Sequence, residues 1–156
     1  MSTHDEHMGR VENNESLLKF LQSNRNDPAF PDWYITISFY TAGHHFEAML
    51  AVVKPNILYL KNNIKIEHST DVNKVDGNMY GEMPTVHRVR FRLIMEKKNK
   101  VFEGMRRPYI LLYNVNQPQK YNNYIPKKIH WILVKKGLLS VKDYCKALKF
   151  SAGVRP

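Results

Sequence analysis

The chain has 156 residues, 43% hydrophobic and 24% charged, with 24 Lys and Arg against 14 Asp and Glu for a formal net charge of +10. That length suits one domain with a real core, which excludes a wholly disordered chain, and the single cysteine, Cys145, excludes a disulfide scaffold. No heptad repeat points to a coiled coil and no apolar run approaches the roughly 20 residues of a membrane helix, so the expectation is a cytoplasmic protein with no membrane partner.

In chain order, Met1–Asn14 is polar and without period, so a loose tail is expected there, with no leader in Met1–Arg10. A single helical domain over 15–153 follows. Its first helix is expected to be short, with Asn14 as N-cap and Leu17, Leu18 and Leu21 facing inward, and the proline-containing stretch Ser23–Pro31 ends it. Pro31-Asp32 opens the clearest element, since proline suits a first helical turn and Asp favours the positive end of the helix dipole. From Trp33 to Val53 only Gly43 interrupts, and apolar residues cover most of the circumference, which predicts the buried centre of a bundle. At about 100° per residue the polar positions form two strips: Thr36, Tyr40, Gly43, His44 and Glu47 on one, Ser38, Thr41 and His45 on the other.

After Pro55, Ile57–Glu67 fits either a β-hairpin around Lys61-Asn62-Asn63 or a helical extension, and His68–Pro84 has the composition of a long exposed loop. Over Thr85–Phe102, Val89, Phe91 and Leu93 alternate with Arg88, Arg90 and Arg92 at strand period, yet Val86, Val89, Leu93 and Val101 keep a helical stripe and the run is long for a strand; helix is expected. Pro108 is expected to open a helix through Val115 that Asn114–Pro118 closes or kinks. Lys127–Lys136 is expected to be a short basic segment stopped by Gly137, and Ser140 with Asp143 resembles the capping of a last helix ending at Gly153. The sum is an all-α bundle of four or five helices, with Ile57–Glu67 the one place for a small hairpin.

Charge is unevenly placed. Residues 1–87 hold 7 basic and 11 acidic side chains, whereas residues 88–156 hold 17 basic and only 3 acidic, Glu96, Glu103 and Asp143. A half-chain that cationic is relieved by a polyanion, which points to nucleic acid; the plainer alternative is a solvated lysine-rich surface. The densest run is Arg88, Arg90, Arg92, Lys97, Lys98 and Lys100, with Arg106 and Arg107. Downstream, lysines that include Lys120, Lys127 and Lys128 interleave with Tyr121, Tyr124, Trp131 and Tyr144, the mixture of cations and aromatic platforms that single-stranded nucleic acid uses, although such aromatics also serve cores.

His44 and Glu47 are three residues apart on one helix face, with Tyr40 one turn earlier. A carboxylate beside an imidazole would fix its tautomer and raise its pKa, as acid/base catalysis or phosphate contact needs; equally, the pair could be a buried histidine satisfied by its own helix. Adjacent His44 and His45 diverge too far to share one ion and no His-x-x-x-His spacing occurs, so no metal is expected. Gly77 and Gly81 lack a following lysine, so no phosphate loop and no cofactor are expected, and Cys145 sits at a core position of an amphipathic segment.

The run Trp33-Tyr34-Ile35-Thr36-Ile37-Ser38-Phe39-Tyr40-Thr41-Ala42-Gly43-His44-His45-Phe46-Glu47-Ala48 resembles the second helix of HEPN-type helical domains, with their Phe-Tyr-x-Ala-x-His-x-x-Glu-Ala signature. Tyr109, Leu112-Tyr113 and Gln119-Lys120-Tyr121 are similar to that family's later Tyr-x-x-Leu-Tyr and Ala-Arg-Tyr stretches; its His-x-x-Arg turn is matched best by His87 with Arg88 and Arg90 on downstream spacing, and by His68-Ser69 on upstream spacing. The resemblance implies a helical, usually dimeric domain that engages RNA or nucleotides, often in toxin–antitoxin or defence systems and often beside a nucleotidyltransferase partner. Active members carry Arg followed four to six residues later by His. No arginine here has that spacing, and Gln119-Lys120 replaces Ala-Arg. The expectation is therefore a catalytically silent binder of RNA or nucleotide. In it His44, Glu47 and His87 form the centre, and Tyr40, Arg88, Arg90, Arg92, Lys97, Lys120, Tyr121, Lys127 and Lys128 contact the ligand. The alternatives are a metal-independent ribonuclease using His44 and His87, or a dimeric protein–protein module.

Overall fold

The computed structural model describes residues 3–22, 30–53, 86–116 and 128–151. Five helices make it up: α1 (His4–Gln22), α2 (Pro31–Val53), α3 (Val86–Met95), α4 (Glu103–Val115) and α5 (Lys128–Ser151), with a 3₁₀ turn at Lys100–Phe102 leading into α4. Among the described residues there is no strand, and the expected all-α bundle is the architecture observed. The expected hairpin or extension at Ile57–Glu67 and the loop after it lie outside the described residues.

α2 is the central element, as its all-round apolar pattern predicts. It packs chiefly against α1 and α5, and α5 in turn packs against α4. Ile35, Ala42, Phe46 and Met49 of α2 are fully buried with Leu93 and Ile94 of α3, Phe102, Met105, Tyr109 and Leu112 around α4, and Val134 and Val141 of α5. Aromatic edges fix two of these contacts, Phe46 against Phe102 at 5.1 Å and Tyr34 against Trp131 at 6.3 Å between ring centroids.

Four sequence expectations are corrected. The tail is a helix: α1 begins at His4, Asn14 lies in its middle rather than at its cap, and the cap is Thr3. The Glu6 N–H donates to Thr3 Oγ1 at 3.3 Å while the Thr3 N–H donates to Glu6 Oε2 at 2.8 Å, a reciprocal capping box. His7, Val11, Leu18 and Leu21 then bury one stripe of α1. Second, α3 stops at Met95 instead of running on to Phe102. The Asn99 Nδ2 donates to Leu93 O at 2.8 Å and the Arg106 guanidinium donates to the carbonyls of Ile94 at 3.2 Å and Glu96 at 3.1 Å, so two side chains take the orphan C-terminal acceptors of the helix.

Third, α4 starts at Glu103, and Pro108 lies inside it rather than at its start, where it leaves the Gly104 carbonyl without its usual helical donor. Fourth, Lys128–Ser151 is one helix that passes through both Gly137 and Ser140. Gly137 is buried where α5 crosses α4: a Cβ there would stand 3.2 Å from Leu112 Cγ and 3.4 Å from the Pro108 carbonyl oxygen. A glycine that permits close helix approach was mistaken for a breaker, because its propensity cost of about 1 kcal/mol is small beside the packing it allows.

Candidate functional site

The two polar strips of α2 face different neighbours. The strip with Gly43, His44 and Glu47 faces α1 and α3. Glu47 is fully buried, and Arg90 of α3, only 5% exposed, reaches it, donating from Nε to Oε1 at 3.0 Å. The guanidinium lies directly over Gly43, where any Cβ would collide with Arg90 Nη1. The fully buried Tyr109 hydroxyl from α4 faces the same guanidinium without a well-aligned hydrogen bond. Burial alone would lower the pKa of Arg90, but Tyr109 and Glu47 more than offset that, so its charge is held. Burial pushes Tyr109 up to about 12, against the opposing pull of Arg90.

Around this buried ion pair stand three imidazoles. His44 Nδ1 is 3.2 Å from Nδ1 of His7 in α1, their rings 5.5 Å apart, so one ring must donate and the other accept. His87 Nδ1 lies 3.5 Å from Arg90 Nη1, and its ring meets Tyr40 edge-on at 5.1 Å and a tilted Phe39 at 5.6 Å. His44 and His87 are half-buried, and Tyr40 is 42% exposed.

The electrostatics reverse the expected effect of Glu47 on His44. Glu47 does raise its pKa, but burial comes first and His7, Arg90 and Arg10 add to it, taking His44 down to about 4. His87 is lowered by burial and then by Arg90. Burial, aided by the nearby cations, keeps both rings neutral at pH 7, each able to accept a proton rather than carry one.

Glu47 and Arg90, both expected at the ligand, are buried against each other beneath the imidazoles, with side chains 1% and 6% exposed. Arg106, part of the same basic run, is spent on the end of α3. Tyr40 and His87 do come together, and His44, one turn on from Tyr40 along the same strip, pairs instead with His7. Arg88 is half-buried on α3, and Arg92 and Lys97 are exposed at its far end. Lys120, Tyr121 and Lys127 lie outside the described residues, and Lys128 opens α5 with its side chain likewise outside them. His7 was missed because it was read as tail, although the Thr3-x-x-Glu6 box and the His7–Val11–Leu18 spacing both announce a helix.

The second strip faces α1 and α5. Thr41 Oγ1 donates back to Ile37 O at 2.7 Å, and buried His45 places Nε2 3.5 Å from Glu15 Oε1, which accepts from Lys142 Nζ at 2.6 Å. Partial burial raises the Glu15 carboxyl, but Lys142 and then His45 outweigh it and the net direction is down. Cys145 is a core thiol, pushed up to about 12 by burial. Among the described residues no three His, Cys, Asp or Glu side chains converge to hold a metal ion, and no helix is long and apolar enough to cross a membrane.

These features define the class: a helical bundle whose central helix carries a buried Glu–Arg pair under a histidine cluster. Comparison with protein-family models, with curated proteins and with solved structures found no match.

Proposed function

We propose that the chain binds single-stranded RNA, or a nucleotide portion of it, at the surface formed by Tyr40, His44 and His87, in the manner the HEPN resemblance implies, and that it does so without cleaving it. The observation that carries this reading is the trio itself. A part-exposed tyrosine stands edge-on to a neutral imidazole, with a second neutral imidazole on the same strip and a buried guanidinium beneath. Base stacking on Tyr40 and donors from neutral rings suit a nucleotide, and the cationic half of the chain supplies the long-range attraction. The silence follows from Arg90. The arginine best placed beside the histidines is committed to Glu47 and does not reach a pentavalent phosphate. Dimerisation and a place in a toxin–antitoxin or defence pair belong to the same proposal.

One observation favours a second reading. His44, unprotonated at pH 7 and paired with His7, has the state a general base needs in metal-independent RNA cleavage.

The test is fluorescence anisotropy of a labelled RNA oligomer at low and high salt, with the same samples assayed for cleavage in EDTA. With four phosphate contacts, a four-fold rise in salt should weaken binding about fifty-fold. Tyr40→Ala should weaken it with the slope kept, and Lys97→Ala should shallow the slope. A flat salt response, or no binding, overturns RNA binding; cleavage lost in His44→Ala overturns the silence.

A further inference from the structure

Near the end of α2, a groove of about 920 Å³ opens between the start of α1 and the ends of α2 and α5. That volume is within the range of about 300–1,000 Å³ usual for small-molecule sites. Its walls are mainly apolar, from Met8, Val52, Cys145 and Phe150, and Phe150 stands 74% exposed there. The rim is cationic: Lys142, Lys146 and Lys149 line it, with His4 beside them, against one acidic side chain, Asp143.

The cations differ in how they are balanced. Lys142 is paired with Glu15 at 2.6 Å. Lys149 is not paired with a carboxylate among the described residues; its Nζ donates to His4 Nε2 at 2.8 Å. Asp5 Oδ1, 3.0 Å from His4 Nδ1, fixes the tautomer that makes Nε2 an acceptor. Burial lowers the pKa of the Lys149 ammonium, and no anion offsets it except a weak pull from Cys145, which burial keeps as a thiol at pH 7. A part-desolvated cation at the mouth of an apolar groove is complementary to a molecule with a hydrocarbon tail and one negative head.

The geometry points to a binding site for a single long-chain acyl carboxylate, its chain along Met8, Val52 and Phe150 and its head on Lys149, with Lys146 beside it. This site is separate from the RNA surface and does not depend on that reading. The chain supplies affinity by leaving water, about 0.8 kcal/mol for each CH₂ buried, and the ammonium supplies the preference for an anion.

The experiment is calorimetric titration of the full chain with dodecanoate below its micellar concentration. Butanoate and dodecanol serve as controls for chain and charge. Saturable one-to-one binding of dodecanoate is expected, with no detectable butanoate binding and dodecanol at least about tenfold weaker. Lys149→Gln should weaken dodecanoate about tenfold and leave dodecanol unchanged. Ala147→Trp, at an exposed helix position on the groove, should abolish binding of both while the helical circular-dichroism melt is kept. The inference is overturned if the unaltered chain shows no saturable binding, including the case where it adheres only to anionic vesicles or self-associates instead. Equal affinity for dodecanol and dodecanoate, or full binding by a folded Ala147→Trp, overturns it as well. If Ala147→Trp fails to fold, the chain-length series and Lys149→Gln decide alone.

Discussion

Each polar strip of α2 meets a carboxylate–cation pair, Glu47 with Arg90 on one and Glu15 with Lys142 beside His45 on the other, and the two behave differently because water reaches one and not the other. Glu47 and Arg90 are 1% and 6% exposed at the side chain, whereas Glu15 and Lys142 are 28% and 41% exposed. The second contact is shorter, 2.6 Å against 3.0 Å. Distance nonetheless does not rank them. Solvent screens the Glu15 pair and replaces either partner when it is lost, while nothing replaces Arg90 next to Glu47. The buried pair therefore governs the fold around it; the exposed pair trims the docking of α1 on α5.

The largest expected effect comes from breaking the buried pair on one side only. Arg90→Ala should cost about 3–5 kcal/mol in denaturant unfolding, because it strands a buried carboxylate. Replacing both partners, Glu47→Leu with Arg90→Leu, should recover most of that loss or exceed the starting stability. If the double variant is as unstable as the single one, packing rather than charge is the cause. Next comes Gly43→Ala. The new methyl would enter the space of the Arg90 guanidinium, which Glu47 anchors from the other side, so a loss of about 1–3 kcal/mol is expected, together with a raised His44 pKa in an NMR titration as the guanidinium shifts.

Acid sharpens the comparison further. His44 titrates at about 4 in the fold against 6.5 when unperturbed. Between those values the unfolded chain takes up a proton that the fold refuses, so this contribution is complete above pH 6.5 and is lost as pH falls toward 4. His87 and His45 are lowered and share the sign. Melting temperature should drop across that window, and His44→Gln should flatten the drop. Glu15, lowered from 4.5, keeps its contribution above that value and loses it only as pH falls further. The smallest effect is Lys142→Ala, worth about 0.2–1 kcal/mol at low salt and less as salt is added. A larger loss at Lys142 would mean that its side screens less than its exposure indicates.

How far the sequence carried differs along the chain. α2 was legible to its ends, because Pro31-Asp32 at one end, Pro55 beyond the other and a nearly continuous apolar surface between them leave few alternatives. Both its polar strips were legible too. α1 was misread, since its polar first half hides a single buried stripe and the Thr3-x-x-Glu6 box was overlooked. Pro108 and Gly137 misled for a common reason. Each breaks a helix in isolation, and each is carried through by the crossing of α4 and α5, where Gly137 meets Leu112 and the Pro108 carbonyl.

In the site, the residue types that could do chemistry were visible, but their partners were not. Helical spacing puts His44 beside Glu47, and spacing alone cannot say that an arginine 43 residues further on takes the carboxylate instead. The sequence by itself determined the helical class, the central helix and which of its side chains lie on which strip, because these follow from local periodicity and turn residues. Only the tertiary structure decided which cations are spent on the fold, as Arg90 and Arg106 are, and which remain at the rim of a groove, as Lys149 does. Charge state depends on burial and on neighbours distant in sequence, and neither is a local property of the chain.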